Sequence, residues 1–110
     1  MDLVQILESD GISAFVSGSF ADTENFPDPV WIFTNMMTTN YSTDADIRKE
    51  VLRYTVALYS SDPSGLREKV KNKQRELIKN GALVGGIVPL NTKDPTLIGY
   101  GFECDIIQEY

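Results

Sequence analysis

The chain contains no histidine and only one cysteine, Cys104. Without histidine it lacks the usual general base near neutral pH, the base of Ser-His and Cys-His nucleophile pairs, and the commonest metal ligand. A single thiol excludes an internal disulfide framework. No apolar run approaches the roughly 20 residues of a membrane-spanning helix. The Met1-Asp2 start carries no basic segment and no signal-like apolar core, so the sequence reads as an intracellularly made, soluble protein. The region from Gly81 to Gly85-Gly86 has no phosphate-loop lysine and precedes no helical pattern. These absences leave no catalytic group, metal site or cofactor to be expected.

Charge of one sign is also missing locally. The first 47 residues hold eight Asp or Glu and no Lys or Arg, whereas nine of the ten Lys and Arg fall between Arg48 and Gly81. The net charge of −6 therefore hides an acidic part and a basic part. The acidic balance argues against nucleic acid as the main partner, because phosphate binding needs a net basic face. At 110 residues and 42% hydrophobic content, the chain is expected to form a single domain, residues 1–110, with its own core.

Leu3, Val4, Ile6 and Leu7 suggest a short first helix that Gly11 would end. Residues 12–20 alternate loosely, as a short or irregular edge strand would. The stretch Ala21 to Pro29 is loop by composition. Val30 to Met37 reads as a strand buried on both faces over part of its length, and Thr38 to Ala45 as a hairpin connection. In Val51 to Tyr59, Leu52, Tyr54, Val56 and Leu58 share one face, and Arg53, Thr55, Ala57 and Tyr59 the other. A basic helix is predicted from Ser64 to Asn80, capped by Asp62 and closed by Gly81, with Leu66, Val70, Leu77 and Ile78 as its apolar stripe. Ala82 to Leu90 reads as a strand with a bulge at Gly85-Gly86. In Leu97 to Ile107, Ile98, Tyr100, Phe102, Cys104 and Ile106 alternate with Gly99, Gly101, Glu103 and Asp105, implying one buried and one wet face. The expected class is α+β, with a mostly antiparallel sheet of four to five strands and two helices packed on one face.

Arg67, Lys71, Arg75 and Lys79 recur every four residues on the basic helix, with Lys69 and Lys73 alongside. Like charges at this spacing cost roughly 0.2–0.5 kcal/mol each. The bland reading is a solvated face; the sharper one is a docking face for acidic groups. The same chain offers such groups in Asp22, Glu24, Asp28, Asp44 and Asp46. Contact between the two patches on different copies would be head-to-tail, and such contacts close into rings when the rotation allows. Apolar anchors would come from Trp31, Phe33, Met36 or Met37. Asp28, Asp44 and Asp46 match no calcium loop, since its glycine and terminal glutamate are missing. Cys104 reads as a small core residue. A small α+β module binding a ligand or partner is the alternative, and a cleft lined by Tyr54, Tyr59 or Tyr100 would favour it.

The arrangement resembles the tail terminator proteins and related minor capsid or tail-completion proteins of long-tailed bacteriophages. The resemblance is carried by the Leu3-Val4…Ile6-Leu7 helix, by the acidic Pro loop before Val30-Trp31-Ile32-Phe33, and by ADIRKEVLRYTVALYSSDPSGLREKVKNKQRELIKNG with its Tyr-Ser…Asp-Pro turn. The strand Leu97-Ile98-Gly99-Tyr100-Gly101-Phe102 is similar to the closing strand of that family. The resemblance implies a non-enzymatic structural protein of the virion, assembled in the host cytoplasm. It would form a homo-hexameric ring at the tail end or neck, stop polymerisation of the tube, and contact tail tube and head connector proteins. It implies no cofactor, no membrane and no sequence-specific nucleic acid as partner.

Overall fold

A computed structural model describes residues 2–16, 28–42, 48–90 and 96–109. Its elements, in chain order, are helix α1 (Leu3–Leu7) with a 3-10 turn (Glu8–Asp10), strands β1 (Ala14–Val16), β2 (Val30–Ser42) and β3 (Arg48–Ser60), helix α2 (Leu66–Lys79), and strands β4 (Leu83–Val84), β5 (Val88–Leu90) and β6 (Ile98–Glu109). The six strands form one sheet in the order β1-β2-β3-β6-β4, with β5 also on β6. Only β1 runs parallel to its neighbour, β2; the other pairs are antiparallel. This is the expected α+β class, with α2 packed across the sheet.

The strand count exceeds the four to five expected because Gly85-Gly86 splits one strand into β4 and β5. The register slips by one residue between the Val84–Cys104 and Val88–Gly101 pairs, as a bulge requires. The Gly85 N–H still donates to the Glu103 carbonyl at 2.8 Å. The α2 crossover leaves β3 and β4 separated, with β6 between them. The predicted hairpin connection also begins later than expected. Thr38 to Ser42 continue β2 and pair in unbroken register with Leu52 to Arg48. Two threonines and a tyrosine suit a pleated strand better than a turn. Residues 43–47, the rest of that connection, lie outside the described residues, as do 17–27 and 91–95.

Helix α2 starts two residues later than predicted, and Asp62 does not cap it. The Asp62 carboxylate accepts from the Ser64 N–H at 2.9 Å, closing a turn over Pro63. Gly65 then adopts a left-handed φ of +66° immediately before Leu66, a conformation that glycine takes at little cost. This reversal separates Asp62 from the free amides of the first helical turn. The helix end follows expectation. Gly81, at φ +92°, lets its own N–H reach the Ile78 carbonyl and that of Ala82 reach Leu77, each at 3.0 Å. Buried Ala82 thereby covers Leu77, the apolar contact typical of this stop.

The core lies between the helices and one sheet face. Trp31 and Phe33 from β2, Val56 and Leu58 from β3, and Phe102, Cys104 and Ile106 from β6 meet Leu3, Leu7, Leu66, Val70 and Leu77. Burial and the neighbouring Asp105 push the Cys104 thiol up to about 11, so it is an inert core residue. Of the four predicted apolar anchors, Trp31 and Phe33 belong to this core, whereas Met36 and Met37 are exposed. Ile78 is also exposed. At about 100° per residue it points away from the stripe of Leu66, Val70 and Leu77, whose missing member is Lys73. The face of β6 expected to be wet is buried at Gly99 and Gly101. The Tyr59 ring lies over Gly99, and Leu90 comes down on both glycines. The described molecule is elongated, with extents of 53 × 29 × 23 Å and a radius of gyration of 15.2 Å.

Candidate subunit interface on helix α2

Four residues of α2 face inward, at Leu66, Val70, Lys73 and Leu77. Lys73 is 2% exposed. Its ammonium donates to the Ile6 carbonyl at 2.7 Å, to Ser9 Oγ at 2.9 Å and to Glu76 Oε2 at 2.9 Å. Asp10 stands 3.7 Å away. All three protons are thus engaged, and the lysine pins the end of α1 and the 3-10 turn to α2. Ser9 Oγ also lies 2.8 Å from the Ile6 carbonyl and 2.7 Å from Glu76 Oε1. Burial alone would raise the Glu76 carboxyl, but hydrogen bonds from Lys73 and Ser9 outweigh it and hold the group below its ordinary range.

Lys73 therefore does not belong to the basic surface on which the sequence placed it, and its burial sharpens that surface. Because Lys73 takes up Glu76, Glu68 is left as the acid of α2 that projects outward beside Arg67, Lys69, Lys71, Arg75 and Lys79. Arg67, Arg75 and Lys79 are exposed and Lys71 is half-exposed. Arg75 donates to the Asn72 side chain at 3.2 Å. Among the described residues, Arg67, Lys71 and Lys79 make no ion pair within their own chain. The row is a band of cations about one helical turn apart, aimed away from the sheet.

Of the acidic candidates, Asp28 is described, while Asp22, Glu24, Asp44 and Asp46 lie outside the described residues. Asp28 is exposed, but its carboxylate is engaged. It accepts from Ser60 Oγ at 2.7 Å and from both the amide and the hydroxyl of Ser61. The Ser61 and Ser60 hydroxyls hold it below the usual carboxylate range. Asp62 stands close enough for Asp28 to oppose its ionisation, although the Ser64 amide keeps Asp62 low. Asp28 and Asp62 thus make an acidic corner at the end of β3. Asp62 was overlooked as an acidic surface residue because its sequence context, Asp-Pro, reads as a cap. Among the described residues no three His, Cys, Asp or Glu side chains gather as a metal ligand set, and no helix is long and apolar enough to cross a membrane.

The three tyrosines proposed to line a cleft are divided between the two faces. Tyr54 and Tyr100 pack against the core, with the Tyr54 ring edge-on to Phe33 at 6.2 Å. Tyr59 lies on the opposite face. A groove of about 410 Å³ does open between the 3-10 turn and α2, lined by Asp10, Ile12, Pro29, Lys69, Asn72, Lys73 and Glu76.

On the sheet face away from α2, the Arg53 guanidinium grips Asp105 with two bonds, Nε–Oδ1 at 2.8 Å and Nη2–Oδ2 at 3.0 Å, and holds its carboxyl low. Asp28, Asp62, Glu76 and Asp105 are thus all more acidic folded than unfolded. A carboxylate of this kind contributes stability in full above its unfolded pKa and loses it as pH falls through its lower folded value. The chain has no histidine, the side chain whose ordinary pKa lies in the intervening neutral range. The urea midpoint is therefore expected to stay level between about pH 8 and about pH 5.5, then to fall below about pH 4. A midpoint that moves near pH 6 would contradict this assignment.

Compared with models of known protein families and with curated proteins, the chain matches none of them.

Proposed function

We propose that this protein is a structural virion subunit of the tail-terminator kind. It docks copy to copy into a ring, homo-hexameric on the resemblance, that caps a phage tail tube, stops its growth and meets the head connector. On this reading it is not an enzyme, it needs no cofactor, and it assembles in the bacterial cytoplasm before residing at the tail end or neck of the virion. The supporting observation is the outward row of Arg67, Lys71, Arg75 and Lys79, in which Arg67, Lys71 and Lys79 lack an ion-pair partner among the described residues of their own chain. Like charges spaced four apart lower helix stability, so a second copy's acidic surface gives the row a use that folding does not. The acidic corner at Asp28 and Asp62 is one such surface. Charge of this kind guides encounter and register more than it supplies affinity.

Light-scattering mass over a range of salt and concentration tests the reading. The expected result is a mass of about six chains at low salt that declines as screening increases. The variant Arg67→Glu, Lys71→Glu, Arg75→Glu should lose that ring while keeping its circular dichroism, because all three side chains point away from the core. An unchanged ring mass in this variant would sink the charge-docking idea. The alternative, a small ligand- or partner-binding module, calls for a cleft lined by Tyr54, Tyr59 or Tyr100, and the groove beside Lys69 and Asn72 is lined by none of them. A stable ring formed without any ligand would count against it.

A further inference from the structure

An antiparallel sheet with helices on one face and water on the other is expected to carry polar residues on the wet side. The face away from α2 departs from this. Cross-strand register sets out its rows as Ile32–Ala57–Gly101–Val88, Thr34–Thr55–Glu103, Met37–Arg53–Asp105–Leu83 and Val51–Ile107. Met37, Leu83, Val88 and Ile107 are all exposed, and they surround a polar centre made of Thr34, Thr55, Glu103 and the Arg53–Asp105 pair.

The rows are self-complementary about one line. That line runs along the strands midway between β3 and β6, so a half turn about it, raised above the face, lays β3 of one copy over β6 of the next. Two such faces pack about 10 Å apart. Arg53 then stands opposite the partner's Asp105, and Thr55 opposite the partner's Glu103. Met37 meets the partner's Leu83, Ile32 the partner's Val88, and Val51 the partner's Ile107. Ala57 and Gly101 lie buried beneath Leu90 of their own chain, so on this row the partner is met at Ile32 and Val88. Cation meets anion on the Arg53 row, hydroxyl meets carboxylate on the Thr55 row, and apolar meets apolar at Met37 and Leu83, Ile32 and Val88, and Val51 and Ile107. Moving the axis onto β3 would instead set Arg53 against the partner's Arg53. The mixed charge at the centre also mismatches a partner of uniform sign, whereas it suits an identical face turned over.

We propose that the exposed part of this sheet face is a homodimer interface, isologous about a two-fold axis between β3 and β6. The proposal is independent of the ring reading, since it uses the side of the sheet opposite α2. Cyclic docking through α2 combined with this two-fold would pair rings face to face. The patch is four strands wide and runs from Val51 to Ala57 along β3. At strand spacings of about 4.8 Å and rises of about 3.3 Å it covers on the order of 400 Å². A standard stable interface buries about 800 Å² per partner, so this dimer is expected to be reversible.

Sedimentation velocity over a concentration series reaching hundreds of micromolar tests the proposal. The Arg67→Glu, Lys71→Glu, Arg75→Glu background is used so that helix docking does not contribute. That background should show a reversible monomer–dimer equilibrium. Adding Arg53→Glu makes the central row wholly acidic, and adding Asp105→Arg makes it wholly basic, so each variant alone should remain monomeric. An equimolar mixture of the two should dimerise, because every charge then finds its opposite across the axis. A mixture that stays monomeric while both variants remain folded overturns the proposal, as does a single variant that associates as well as the background. If a charge variant fails to fold, Leu83→Glu at its exposed position decides the matter, and undiminished dimerisation there overturns it. Loss of the ring without loss of this dimer, or the reverse, separates failure of one reading from failure of the other.

Discussion

Lys73→Met is expected to lower the unfolding free energy by about 2–4 kcal/mol. Methionine keeps an unbranched apolar stem in the stripe of Leu66, Val70 and Leu77 and removes only the ammonium. What remains is a Glu76 carboxylate without its cation, a Ser9 hydroxyl without its donor, and an Ile6 carbonyl that keeps only local partners. The Glu76 side chain is 38% exposed, so water can meet part of its need, and the expected cost stays below that of a fully stranded charge. Lys73→Ala should cost more, because the stem's packing is lost as well. The control is Lys71→Met on the outward row, which should lie within about 0.5 kcal/mol of the unaltered chain. Urea denaturation measures all three. The loss at Lys73 should be concentrated in the N-terminal segment, since a five-residue helix cannot stand alone. Backbone amides of α1 should therefore exchange with solvent faster in Lys73→Met than those of β3. Equal stability of the Lys73 and Lys71 variants would mean that desolvation of the amine cancels its hydrogen bonds, and the lysine would then not act as a lock.

Gly99→Ala is expected to destabilise by about 1–3 kcal/mol, against the usual direction for a glycine within a strand. A methyl there would lie 2.6 Å from the Tyr59 ring and 3.5 Å from Leu90, closer to the ring than side-chain carbons approach. Tyr59 must leave its place over the sheet, and the burial that raises its phenol above the ordinary range goes with it. The clash is specific to one side chain, which makes it separable. In a Tyr59→Ala background the same Gly99→Ala change should cost little or become favourable, giving a coupling energy of about 1–2 kcal/mol. Gly101→Ala should show no such rescue, because its methyl would meet the Val56 backbone carbonyl at 3.1 Å as well as Leu90. Gly86→Ala, with nothing within 4 Å, should be close to neutral. Independence of the Gly99 and Tyr59 effects would remove the ring-over-glycine contact from the account of this face.

Alternation carried most of the architecture. Leu52 to Leu58 and Ile98 to Ile106 repeat every second residue, and both sets line the core as read. Gly81 marked the helix end because a left-handed residue was needed there. The helix start was misread because Asp62-Pro63 and Gly65 offer competing ways to begin a helix, and only the backbone path decides between them. Lys73 was misplaced by residue type. The apolar stripe skips one position between Val70 and Leu77, and that gap was the available signal; Ile78 was counted in the stripe although its angle is wrong. Glu76, three residues on, is the one local partner of Lys73; Ser9 and Ile6 lie 64 and 67 residues away, and nothing local announces them. The second sheet face was hidden for the same reason. Arg53 and Asp105 are 52 residues apart and become neighbours only when β3 and β6 pair. The basic row was legible from its four-residue spacing alone, whereas four of the five acidic candidates fall in segments outside the described residues.

The long strands have a hydrodynamic consequence. A compact chain of this length has a radius of gyration of about 13 Å, whereas β2, β3 and β6, each 12 or 13 residues long, stretch this one to 15.2 Å along a 53 Å axis. A rod-like particle drags more solvent than a sphere of equal mass, so a lone 12.3 kDa chain will travel through a gel-filtration column ahead of globular standards of its size. Early elution is therefore the natural behaviour of the monomer. A two-fold partner laid flat on the sheet would thicken the particle across its short dimension and leave its length nearly unchanged. Pairing should consequently raise the sedimentation coefficient strongly while moving the elution position only a little.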